Sequence, residues 1–199
     1  MNYISEDIRD LIRPGAERSA QFLAGFLVAQ MALKSGMRVL DVGCGEGFLC
    51  KEFRQLGIDA YGVDGDQLPG VDQVVDLTQP LGMSGFDLVC CFEVGEHLPE
   101  QAAEVLVDSL CQASDLIVFS AAIPGQGGPG HVNEQWPDYW VEKFSARGRR
   151  VSGTYRYGIW DEPRLEPWYK QNMLVVGVNN GPCLPLVHPD VWSFHRGLS

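Results

Sequence analysis

The run EVGEH sets Glu93, Glu96 and His97 at a first position and its +3 and +4 neighbours. On one helical turn those three side chains can converge. A second imidazole, His131, closes the glycine- and proline-rich segment IPGQGGPGH further along the chain. Two carboxylates and two imidazoles can hold a divalent ion and leave coordination positions open. Carboxylates favour Mg²⁺, while imidazoles pull toward a transition metal. Such an ion would bind two neighbouring oxygens of an acceptor and lower the pKa of a hydroxyl. In a metal-free site, His131 is the best general base for a hydroxyl, because an unperturbed imidazole titrates near neutrality. Glu93, His97 and His131 are therefore candidate catalytic residues, and Glu93, Glu96, His97 and His131 a candidate metal set.

A second constellation lies earlier. VLDVGCGEGF spaces Gly43, Gly45 and Gly47 two apart, with Asp41 just ahead and Cys44 within the loop. Such glycines let the backbone turn sharply and approach a ligand, and bring helix N-terminal N–H groups near an anion. A dinucleotide fingerprint would need a further glycine where Phe48 and its neighbours stand, which disfavours a nicotinamide cofactor.

These residues need a scaffold. Apolar spacing predicts a helix over 18–34 and a short strand over 37–42, then a helix over 46–56 and strands over 58–63 and 73–75. An apolar run over 86–92, interrupted only by Asp87, reads as a strand covered on both faces. A helix over 99–112 and a strand over 116–120 follow. After the Gly/Pro loop come a helix over 134–146, interrupted near Pro137, and strands over 151–157 and 173–178. Alternating strands and helices followed by two late strands imply an α/β fold. Its doubly wound, mainly parallel, seven-stranded sheet carries an antiparallel edge hairpin. Only residues 64–70 separate the second strand from the approach to the third, so the helix expected there is missing or reduced to a turn.

The chain resembles the class I S-adenosylmethionine-dependent methyltransferases. The resemblance spans roughly residues 20–180 and rests on LDVGCGEG (40–47), YGVDGD (61–66), VVDLTQPL (74–81) and FDLVCCFEVGEHLPE (86–100). It implies that Asp41 and the 43–47 loop face the methionine moiety, and that Asp64, followed by Gly65, accepts both ribose hydroxyls. It further implies that Asp76 and Leu77 border the adenine, and that Phe92 and Glu93 lie near the sulfonium. A cation is tolerated by a pocket expected to hold acids and no bases. ExxEH with a later histidine is similar to two metal-dependent groups of this class. These are the small-RNA 3′-terminal 2′-O-methyltransferases and the ubiquinone-pathway O-methyltransferases, and the resemblance carries the metal set over residue by residue. Related enzymes that use no metal share the motif; there His97 orients a loop and Glu96 caps the helix beginning at Pro99.

The 199 residues fit one domain, with 1–130 as the cofactor-binding half and 131–199 as the acceptor-side half and tail. Net charge is −11, and no Lys or Arg occurs between Arg54 and Lys143. Nucleic acid is therefore a poor partner. The basic cluster Lys143, Arg147, Arg149, Arg150 and Arg156 reads as a solvated helix end and the strand after it. A polar, acidic start argues against a secretory signal, and no apolar run is long enough for a membrane span. The six cysteines contain no CxxC pair and read as reduced thiols, which points to the cytoplasm. All five tryptophans lie after residue 135, as core or as stacking surfaces for rings and sugars. The segment 124–144 loosely resembles bacterial and phage methyltransferases of glycan or small-molecule type. The aromatic tail 179–199 is expected to pack along the sheet or against a second subunit.

The expectation is an O-methyltransferase, monomeric or homodimeric, acting on a small molecule or glycan. An RNA or protein methyltransferase is the alternative, and so is a non-catalytic cofactor-binding subunit. A pocket plugged by the tail would favour the subunit.

Overall fold

The computed structural model describes residues 6–179 and 181–196. Its sheet has seven strands: Arg38–Val42 (β1), Asp59–Asp64 (β2), Gln73–Val74 (β3), Leu88–Phe92 (β4), Ile117–Ser120 (β5), Val151–Ser152 (β6) and Leu174–Val176 (β7). Their order is β3-β2-β1-β4-β5-β7-β6. β1 to β5 are mutually parallel, and β7 runs antiparallel to both β5 and β6. The chain winds outward from β1 to β3 and then returns to β4, so the order reverses between β1 and β4. Ligands of open α/β sheets bind at that switch point, beyond the carboxyl ends of the strands.

Period-two alternation divides the strand side chains between two apolar layers. Leu40, Val42, Val89, Cys91, Ile117 and Phe119 face the layer of Ala103–Ala113 (α3) and Pro137–Ala146 (α4), where Leu106, Leu110, Trp140 and Phe144 pack. Val39, Leu88, Cys90, Val118 and Val175 face Glu6–Gln30 (α1) and Phe48–Gln55 (α2), against Leu23, Leu27 and Phe53. Both faces of β4 and β5 are buried, which is why these strands are almost wholly apolar.

Several elements differ from their expected form. α1 begins at Glu6, well before residue 18, and runs through Pro14. The polar stretch ahead of its apolar stripe is also helical, and Arg13 in it pairs with Glu46 at guanidinium–carboxylate distances of 2.8 and 2.6 Å. No helix links β2 to β3, as the short spacing required. Pro99 precedes a 3-10 turn, Glu100–Ala102, ahead of α3. Pro137 opens α4 at its first position, where its missing N–H costs nothing, so the helix starts there and is not interrupted.

The strand expected over 151–157 stops at Ser152, and Thr154–Gly158 coils into a 3-10 helix. Arg156 turns inward and donates to the carbonyls of Gly153, Gln171 and Leu184 at 3.0, 2.9 and 3.0 Å. The late strands consequently form no simple hairpin: Pro167–Asn172 (α5) lies between them.

The tail folds back beside α5. His188 is buried, its Nε2 lies 2.8 Å from the Trp160 carbonyl oxygen, and Pro189–Arg196 (α6) follows. The expected packing is therefore local to α5; residues 180 and 197–199 lie outside the described residues. All six cysteines are free thiols. Among the described residues, no helix is long and apolar enough to cross a membrane.

Candidate active site

A cavity of about 250 Å³ opens at the switch point. Asp41, Gly43, Cys44, Gly45, Asp64 and Gly65 line it, as do Leu77, Phe92 and Glu93. The registers Asp41↔Gly62 and Asp41↔Cys90 bring the ends of β1, β2 and β4 level, so residues distant in sequence meet at one edge. Asp64 secures the loop: its Oδ2 accepts the Gly45 N–H at 2.8 Å and its Oδ1 the Asp66 N–H at 3.0 Å. Burial pushes the Asp41 carboxyl up to about 7, against a weaker opposing contribution from the Cys50 thiol hydrogen bond. Phe92 packs edge-on to Tyr169, 5.7 Å between ring centroids.

Two of the expected cofactor residues stand elsewhere. Gly47 does not line the cavity; it caps α2 in the left-handed region at φ 73°, and a Cβ there would come within 2.6 Å of the Gly70 carbonyl oxygen. Its role is to close the loop against its neighbour. Asp76 borders a second, more open cavity of about 920 Å³ with Leu77 and Val132, its Oδ1 bound by the N–H and hydroxyl of Thr78.

The expectation of a pocket without bases is also corrected. α1 crosses the first cavity and contributes Arg9 and Arg13 to its wall. Both face acids, however: Arg13 pairs with Glu46, and Arg9 lies 3.9 Å from Asp66. Among the described residues no ion pair joins Asp41, Asp64 or Glu93 to a cation.

The four-residue metal set is reduced to three. Ligand atoms of Glu96, His97 and His131 all lie within 4.8 Å of one another. Glu93 is outside that group. It leaves β4 in the left-handed region at φ 53°, a conformation unfavourable for a glutamate and common at functional sites. Its carboxylate accepts Asn172 Nδ2 at 3.0 and 3.2 Å and Gln126 Nε2 at 2.9 Å. The 3-10 turn Gly95–His97 meanwhile carries Glu96 into the interior, so one regular helical turn never forms.

Glu96 is fully buried, and neither carboxylate oxygen makes a hydrogen bond of ordinary geometry, although the Glu93 carboxyl and the Ala122 backbone lie close enough to act on its protonation. It does not cap the following helix, since its oxygens bind none of that helix's N–H groups. Burial, then the Glu93 charge, raises its pKa well above the carboxylate range. His97 Nδ1 is likewise buried without a partner, and burial, with a smaller push from His131, lowers this imidazole to about 4. Three orphaned ligand atoms on two adjacent residues suit a cation, since buried acceptors otherwise almost always find a donor. His97 lines both cavities and stands edge-on to His131 at 4.9 Å. His131 lines neither cavity.

The His131 loop is stapled to the same turn, because the N–H groups of Val132 and Asn133 both donate to the Glu96 carbonyl at 2.8 and 3.0 Å. Sequence reasoning missed Asn172, Gln126 and Gln171, which extend the Glu93 network. Gln171 Nε2 donates to Gln126 Oε1 and to Asn172 Oδ1, both at 3.0 Å, and Gln171 Oε1 accepts the His188 N–H at 2.8 Å. Amides have no spacing that reveals them; only the strand-proximal position of 172 hints at a role.

The basic cluster is largely consumed internally. Lys143 and Arg147 pair with Glu104 and Asp108 of α3, and Arg149 with Asp115. The tryptophans divide: Trp140 is core, Trp160 packs on His188, and Trp136 and Trp192 are exposed.

Comparison with known proteins bears on these features. A family model described as a methyltransferase domain matches residues 16–147. Magnesium-protoporphyrin O-methyltransferase from a Synechocystis strain is 28% identical over 130 residues, 58% of this chain and 54% of that protein. A ubiquinone biosynthesis O-methyltransferase from Rhodopseudomonas palustris is 30% identical over 110 residues, 48% of this chain and 40% of that protein. The chain thus spans about half or less of the length of these relatives. Among solved structures, magnesium protoporphyrin IX methyltransferase from Synechocystis, with bound S-adenosylmethionine, superposes with a TM-score of 0.61 at 21% identity, covering 87% of this chain and 84% of that one. Together with the sheet order and the glycine loop at the switch point, the family match shows that the chain belongs to the class I S-adenosylmethionine-dependent methyltransferases.

Proposed function

We propose that the chain transfers a methyl group to a hydroxyl oxygen of a small molecule or glycan, with a divalent cation held by Glu96, His97 and His131. The observation that carries this reading is the buried, unpartnered Glu96 carboxylate with two imidazoles beside it, next to the cavity that His97 shares. The names of the O-methyltransferase relatives support oxygen as the acceptor atom. In this reading Asp64 receives the ribose hydroxyls, Asp41 and the glycine loop the methionine moiety, and Leu77 borders the adenine. Phe92 and Tyr169 shield the sulfonium from water. A bound cation supplies a lower pKa to a coordinated hydroxyl. The acceptor oxygen forms its bond to the methyl carbon as the carbon–sulfur bond breaks, and the hydroxyl proton passes to solvent water. S-adenosylhomocysteine remains.

The experiment is a transfer assay with radiolabelled S-adenosylmethionine against diols, sugars, phenols and a short RNA, each with Mg²⁺, with Mn²⁺ and with excess chelator. Transfer to a hydroxyl compound that chelator abolishes and metal restores is the expected result. Asp64→Ala should weaken cofactor binding by roughly 1–3 kcal/mol through lost ribose hydrogen bonds. Full turnover in chelator would remove the cation and keep the transferase. Transfer to RNA alone would replace the acceptor class.

A further inference from the structure

Glu134 has no part in the site so far, yet its carboxylate is fully engaged beside it. Its Oε1 lies 2.8 Å from His131 Nδ1. The same oxygen accepts the Gly127 N–H at 2.7 Å, and Oε2 accepts the Gly125 N–H at 2.8 Å. Both of its oxygens already accept backbone N–H groups, so the carboxylate meets Nδ1 as an acceptor. A neutral His131 facing it must carry its proton on Nδ1, which leaves the lone pair on Nε2.

A second observation concerns that other nitrogen. A Cβ on Gly128 would come within 2.4 Å of His131 Nε2. A side chain at 128 would cover this edge of the ring, and glycine keeps it clear. The loop that displays His131 is thus closed on itself by one carboxylate and stripped of side chain where Nε2 lies.

We infer that Glu134 is the positioning residue of His131: it fixes the ring and its tautomer so that Nε2 is the nitrogen available to a cation or a proton. The inference deepens the proposed function and rests on it for what Nε2 does, but the tautomer itself is independent of that reading. Carboxylates that hold the far nitrogen of a ligating imidazole raise its basicity and set its direction, and their loss costs about 10–100-fold in metal affinity or activity.

The test is long-range proton–nitrogen NMR of the full chain labelled with ¹⁵N-histidine, at alkaline pH where the rings are neutral. The wild type should show His131 protonated on Nδ1. Glu134→Gln should shift it toward a mixture with the Nε2-protonated form, and calorimetric titration with Zn²⁺ should show affinity reduced about 10–100-fold. A wild-type His131 protonated on Nε2 overturns the inference, as does a Glu134→Gln protein with unchanged tautomer. The amide resonances of Gly125 and Gly127 report whether the variant loop stays folded. If they collapse, the wild-type tautomer alone decides. Zn²⁺ failing to bind the wild type would remove the cation from the proposed function, while the tautomer would still judge Glu134.

Discussion

At the scale of single residues, Asp41 offers the sharpest chemical expectation. Its carboxyl is pushed up to about 7 by burial, whereas an unfolded chain would lose that proton near the ordinary aspartate value. The folded state therefore binds the extra proton between about pH 4 and 7, and stability falls as pH rises through that window. A methionine ammonium beside Asp41 favours the ionised form. Binding of S-adenosylhomocysteine at pH 6 should then release a proton, and affinity should rise toward pH 7 by at most about tenfold per unit. Calorimetry at pH 6 in two buffers of different ionisation enthalpy measures this, and equal apparent enthalpies would place the ammonium elsewhere. The strand-end acids were legible because each follows an apolar run that must be a strand. Glu93 was legible as a functional residue and misleading as a ligand. Its positive φ, which turns it toward Asn172, has no signature in EVGEH.

At the scale of elements, the least expected wall of the cavity is α1. Its second half is held by buried Ala20, Leu23, Ala24 and Leu27, and that stripe was visible as helical spacing. Its first half is polar and contains Pro14, so periodicity could not reveal it, although it supplies Ile12, Arg13 and Ala16 to the cavity. Because the Arg13 side of the pair with Glu46 faces solvent, the pair adds little to stability. Arg13→Gln should lower Tm by no more than about 4 °C. It should nevertheless speed dissociation of S-adenosylhomocysteine several-fold, because one fastening of the cavity cover is lost. Stopped-flow fluorescence with parallel melting curves separates the two effects. A large drop in Tm with unchanged dissociation would make the pair a scaffold contact. The truncated β6 and the short α5 were beyond periodicity for a related reason: the inward turn of Arg156 toward three carbonyls depends on tertiary partners.

At the scale of the whole molecule, the charge pattern and the topology point the same way. A net charge of −11, with Lys143 of α4 and Arg147 just after it paired to acids of α3, leaves a surface with little attraction for polyphosphates. The tail folds beside α5, and the His188 backbone joins the polar network behind Glu93. The missing helix between β2 and β3 was fixed by chain length alone, whereas the Glu96–His97–His131 cluster needed the fold to bring two distant segments together. That cluster, beside a cavity for the cofactor, is the centre of the account. An anomalous difference map from crystals grown with S-adenosylhomocysteine and Mn²⁺ tests it most directly. The account predicts a Mn²⁺ peak bounded by Glu96, His97 and His131, with the ribose on Asp64. A filled cofactor cavity with no peak at those three residues, or a peak held by Glu93 in their place, would contradict it.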